Sequence, residues 1–172
     1  MLSIFSVALA TALGTSALPP QASPDALLHA PTRHVRAADG AVHHLLARGI
    51  TRSKTFAALV ARLDASDVIV YVERTLSLQS AIEGRLLLLP TGRQRYLRVQ
   101  VRSLGQPDDL VALIAHELRH AVEIADAPAV HDEASLVGLY EKIGHCVRPA
   151  HQYDTEEANH AERQVRSELA LN

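Results

Sequence analysis

The spacing of apolar residues changes period several times along the chain. Phe56, Leu59, Val60 and Leu63 recur at intervals of three and four, which predicts one buried helical stripe. Ser53 stands where that helix needs an N-cap. A short helix is expected before it, over residues 39–48, closed by Gly49 as the residue after its end. The period then becomes two. Residues 67–73 are β-branched and short, 85–90 form a second apolar run, and 95–102 alternate between polar and apolar. Thr91-Gly92 reads as a turn. Consecutive strands with a tight turn predict an antiparallel meander, with 95–102 half-exposed. Residues 75–83 read as a loop or a turn of helix. Pro107, Asp108 and Asp109 open a largely apolar helix that ends near Asp126, before Pro128. Two more helices are expected, over 133–143 and closed by Gly144, and over 155–169, with residues 145–153 as a loop. The predicted class is α+β.

The N-terminal residues have another character. Residues 1–18 carry no charged side chain, are rich in small and apolar residues, and end in a small-x-small site at Thr15-Ser16-Ala17. They read as a secretory signal peptide without the usual basic n-region, and the apolar run is short for a membrane span. Pro19, Pro20, Pro24 and Pro31 make residues 19–37 a linker, with His29 and His34 as solvated residues in it. Residues 38–172 are then one domain. An exported protein is expected, with no stable membrane span after cleavage.

Composition narrows the chemistry. Of 172 residues, 48% are hydrophobic and only 3% aromatic, so the core must be Leu, Val, Ile and Ala. A formal charge of −2 gives no electrostatic case for nucleic acid. One cysteine, Cys146, excludes an internal disulfide framework and a cysteine-rich metal site, and it reads as a half-buried thiol.

The predicted helix that follows the strands contains His116-Glu117-Leu118-Arg119-His120. Residues four apart share a helix face, so His116 and His120 can aim two imidazoles at one ion. Glu117 can reach a water on that ion without ligating it. Two nitrogen ligands, an open position and a carboxylate base are what metal-assisted hydrolysis needs. Ten histidines in the chain make chance matches easier, but two histidines and a glutamate within so apolar a run are costly to bury without a partner. His43 and His44 are adjacent and face different ways, as surface residues do.

This stretch resembles the signature of the zincin metallopeptidases. The resemblance implies Zn2+, peptide or protein substrates, Glu117 as general base, and a small, mostly antiparallel sheet packed on the signature helix. It also implies a strand edge that holds substrate in extended form, for which residues 95–102 are the best candidate. The chain is similar as well to a group of small exported bacterial proteins of unsettled activity. The likeness spans about residues 50–170, through Val68 to Glu73, Tyr96 to Arg98, His116 to Glu123, Leu139 to Gly144, and Asp154-Thr155.

A catalytic zinc takes three protein ligands and water. Asp154, at the start of the last helix, is the first choice for the third. Glu156, Glu157 and Glu123 stay open. A helix cap at Asp154, paired with Glu157, would explain that position without metal. Three ligands on one straight helix strain the geometry, so Glu123 suits an acceptor for an imidazole N–H or a partner for Arg119 better, and Asp126 shares that role. Tyr140, His145, His151 and Tyr153 are candidate donors to a developing oxyanion, with Tyr140 equally at home in the stripe of Leu136, Leu139 and Ile143. Arg95, Arg98 and Arg102 suggest anionic partners or charges that guard an exposed strand. Two other functions compete with hydrolysis: a zincin-fold metal-binding or interaction module of the cell envelope without activity, and a structural domain without metal.

Overall fold

A computed structural model describes residues 33–76, 78, 83–89, 94–148 and 152–171. The expected signal peptide, most of the expected linker with His29, the expected turn at Thr91-Gly92 and His151 lie outside the described residues. In chain order the elements are β1 (Val35–Ala37), α1 (Gly40–Arg52), α2 (Lys54–Asp64), β2 (Val68–Thr75), β3 (Gly84–Leu89), β4 (Arg95–Arg102), α3 (Pro107–Ala125), α4 (Glu133–Ile143), β5 (His145–Arg148), β6 (Gln152–Asp154) and α5 (Glu156–Leu171). The architecture is α+β, with five helices and a four-stranded mixed sheet among the described residues. None of those helices is long and apolar enough to cross a membrane.

The sheet order is β1-β2-β4-β3. β1 and β4 both run parallel to β2, and β3 alone is antiparallel, paired to β4. The expected meander therefore fails between β2 and β3, because β4 fills the slot between them. In this sheet only β3 and β4 pair antiparallel, as expected of neighbours in a meander. Strand β1 also corrects the linker: residues 35–37 belong to the sheet, and Val35 pairs with Val70 in the core. Three residues after a proline-rich stretch are too few to show a period. His34 is half-buried just before β1, and its N–H donates to Asp64 Oδ1 at 2.8 Å.

One sheet face is the core. Val68, Val70 and Val72 of β2 and Leu97, Val99 and Val101 of β4 are fully buried there, against α3 residues such as Val111, Ile114, Leu118 and Ile124. Each such side chain contributes roughly 1.5–3 kcal/mol by leaving water. The register sets Arg95 opposite Val68, on the core side of β4. Arg95 is thus only 3% exposed, not the exposed charge its alternation suggested. Its guanidinium donates to the carbonyls of Ile124 at 2.8 Å and Ala127 at 3.0 Å, and to the Asp67 carboxylate at 2.6 and 2.9 Å. Those carbonyls belong to the open C-terminus of α3, where a cation also suits the helix dipole.

Ser53 ends α1 and caps α2, accepting the Phe56 N–H at 3.0 Å. Gly49 is not the residue after α1 but lies inside it. A Cβ there would fall 2.7 Å from the Phe56 ring, so its role is close packing. Gly144 ends α4 as expected. The expected loop after it is instead a two-stranded antiparallel hairpin, β5 with β6, irregular between Cys146 and Arg148. Cys146 sits opposite Tyr153 in that pairing.

Candidate metal centre

α3 is buried around most of its circumference, and its buried residues include Glu117, His120 and Glu123. So many polar groups inside an apolar helix need partners. α5 packs along α3 and supplies them. His116 Nε2 lies 3.2 Å from His120 Nε2, and Asp154 Oδ1 lies 3.4 Å from the first and 3.8 Å from the second. Among the described residues these three are the group of His, Cys, Asp and Glu whose ligand atoms converge.

The second ring nitrogens decide what the convergence means. His120 Nδ1 lies 2.9 Å from Glu123 Oε2, and His116 Nδ1 lies 3.3 Å from Glu162 Oε2. A carboxylate at Nδ1 favours a proton there and leaves a lone pair on Nε2. The His116 contact is the looser of the two, and Glu162 favours the imidazolium through that contact first and through its charge second. Two imidazole nitrogens and a carboxylate oxygen then face one point, a group that could hold a metal ion. A tetrahedral ion bound at 2.0–2.1 Å sets its ligand atoms about 3.3 Å apart. The observed edges of 3.2, 3.4 and 3.8 Å bracket that spacing.

The carboxylates around the triad favour positive charge at it. Burial opposes the His116 imidazolium, yet Glu162, Glu117 and Asp154 outweigh it and raise its pKa. The His116 imidazole, with help from Arg166, holds Glu162 at about 2 against its own burial. Burial pushes the Glu117 carboxyl up, against the pull of His120 and His116. Burial, then the charges of Glu123 and Glu117, push the Tyr140 phenol up as well.

Glu117 lies beside the triad and against β3. A Cβ at Gly84 would fall 2.5 Å from Glu117 Oε1, so the strand backbone closes over the carboxylate because residue 84 has no side chain. This revises the expected substrate strand. β4 is paired on both sides, whereas β3 is the sheet edge and starts at Gly84. The alternation of β4 reflects one buried sheet face, not an edge.

No protein-family model matches the chain, and comparison with curated proteins and with solved structures finds no match. The arrangement of its own atoms is therefore what bears on its chemistry.

Of the alternatives for the third ligand, Glu156 is exposed and pairs with Arg163 at 2.6 Å, and Glu157 is exposed. Glu123 faces away from the triad. It bonds His120 Nδ1 and accepts the Thr155 hydroxyl at 2.8 Å, with Arg119 Nε 3.9 Å away. Asp126 pairs with Arg62 on the surface and takes no part. The capping box expected from Asp154 and Glu157 does not form. Thr155 is the residue whose Oγ1 accepts the Ala158 N–H, at 3.1 Å, so Asp154 stands one residue before the cap and does not itself cap the helix. Tyr140 is buried, with its ring 5.5 Å from that of His120 and stacked on Tyr153 at 6.0 Å. His145 is exposed. His43 and His44 pack edge to face on α1.

Glu162, Thr155 and Asn159 escaped the sequence reading. Glu162 had a signal: it falls on the stripe of Ala158, Ala161, Val165 and Leu169 that buries α5. A carboxylate at the edge of an apolar stripe asks for a partner.

Proposed function

We propose that this is a zincin-like zinc metallopeptidase that hydrolyses peptide bonds. The observation that carries the reading is the triangle of His116 Nε2, His120 Nε2 and Asp154 Oδ1, with a carboxylate behind each imidazole and Glu117 beside it. His116, His120 and Asp154 would hold the metal. When bound, zinc polarises the scissile carbonyl and lowers the pKa of water. Glu117 takes the proton of that water and hands it to the leaving amine. β3 lies at an edge of the sheet formed by the described strands, where an extended peptide can add near Gly84, and Gly84 brings that strand against the base. The leader-like residues 1–18 favour export, and peptides or proteins outside the cytoplasm as substrates.

The test is Glu117→Gln, assayed on a broad peptide library. Zinc content should be unchanged, and hydrolysis should fall by a factor of about 100 or more. Wild-type protein that binds zinc and cleaves nothing in the library would instead indicate a metal-binding module.

A further inference from the structure

The start of α5 holds more hydrogen bonds than a helix cap requires. Asp154 Oδ1, the oxygen that faces the two imidazoles, also accepts the N–H of Thr155 at 2.7 Å. Asp154 Oδ2 is engaged elsewhere and accepts Asn159 Nδ2 at 3.0 Å. The same Asn159 amide donates to the Thr155 carbonyl at 3.0 Å, which fixes the amide in place. Thr155 is fully buried and uses its hydroxyl twice. It accepts the Ala158 N–H and donates to Glu123 Oε1 at 2.8 Å. The other Glu123 oxygen is the one bonded to His120 Nδ1. The bonds run from His120 through Glu123 and Thr155 to Asp154, whose Oδ1 lies 3.8 Å from His120 Nε2. Capping explains one of these bonds and leaves the others without a purpose.

We infer that Thr155 and Asn159 are positioning residues for the third metal ligand. Thr155 ties Asp154 to the same carboxylate that orients His120, so a ligand at the end of β6 and a ligand on α3 are set by one acceptor. Asn159 holds Oδ2 away from the triad, so Asp154 offers a single oxygen and a fourth position stays open for water. Outer partners of this kind typically change metal affinity 10- to 100-fold when removed. The inference rests on the metal reading of the site and goes beyond it, since it concerns how the third ligand is aimed.

The test uses the full-length protein and zinc alone. Zinc Kd is measured by competition with a chromophoric chelator, and the thermal midpoint of the metal-free form is measured alongside. Thr155→Ser keeps the hydroxyl and should bind within about twofold of wild type, whereas Thr155→Val should bind roughly 10- to 100-fold more weakly. Asn159→Leu leaves the cap hydroxyl in place, so it reports even if the valine variant does not fold. It should bind about tenfold more weakly. A role in capping alone predicts a lower midpoint for Thr155→Val with affinity unchanged. That result, or an unchanged affinity for Asn159→Leu, would overturn the inference while wild type still binds zinc. Wild type that binds no zinc would overturn the metal reading, and this inference with it.

Discussion

Gly84 and Glu117 meet where β3 passes over α3, and the contact leaves no room for a methyl group. Gly84→Ala would therefore displace the carboxylate, while the histidines keep their own partners. Misplacing a reacting group by about 1 Å can cost on the order of 100-fold. Hydrolysis should fall by about that factor, with zinc content unchanged, as kinetics and metal analysis on the same sample would show. Glu168 offers a separate check, away from the site. Burial pushes its carboxyl up, but donors from Ser53, Thr55 and Gln164 outweigh that and bring it down to about 2. A depressed carboxylate stabilises the fold above its ordinary pKa near 4.5 and loses that contribution as pH falls toward 2. Glu168→Gln should cost about 1–3 kcal/mol at neutral pH. Its difference from wild type should shrink below about pH 4.5, as urea unfolding at several pH values would record.

Helix α3 carries the site and is held at both its length and its end. Along its length, Leu118 is fully buried between Glu117 and Arg119 in the signature itself. Leu118→Ala should cost about 2–5 kcal/mol through lost burial and a cavity, read by denaturant unfolding. At its end, Arg95 gathers the carbonyls of Ile124 and Ala127. Arg95→Met keeps much of the stem but takes the guanidinium from both carbonyls, which keep only backbone N–H donors, and from the Asp67 carboxylate. It should cost about 1–3 kcal/mol, and hydrogen exchange should quicken first in the last turn of α3. That role was not legible in advance. Arg95 begins an alternating run whose polar residues looked solvent-facing, and only the pairing with Val68 turns it inward. The helices themselves were easier to read. The three-and-four spacing of Phe56, Val60 and Leu63, the Ser53 cap and the Gly144 stop are local signals, and each sits where the spacing puts it.

At the scale of the whole molecule, the hidden features are those that need a partner distant in sequence. The crossover that sets β4 between β2 and β3 leaves no mark on the strands it reorders. His116 and His120 were legible as a pair because one helix carries both. Asp154 was legible as the first choice for the third ligand but not separable from a cap, because its nearness to them depends on how α5 packs on α3. Glu162 was missed for the same reason, since its imidazole partner lies on another helix. The account joins α3 and α5 through one ion, so that ion should be measurable in the protein. The most direct measurement is the zinc content of purified wild-type protein and of His116→Ala, His120→Ala and Asp154→Ala, with each fold checked by circular dichroism. The account predicts about one zinc per wild-type chain and a large loss in each folded variant. Wild type without zinc, or Asp154→Ala with full zinc, would contradict it.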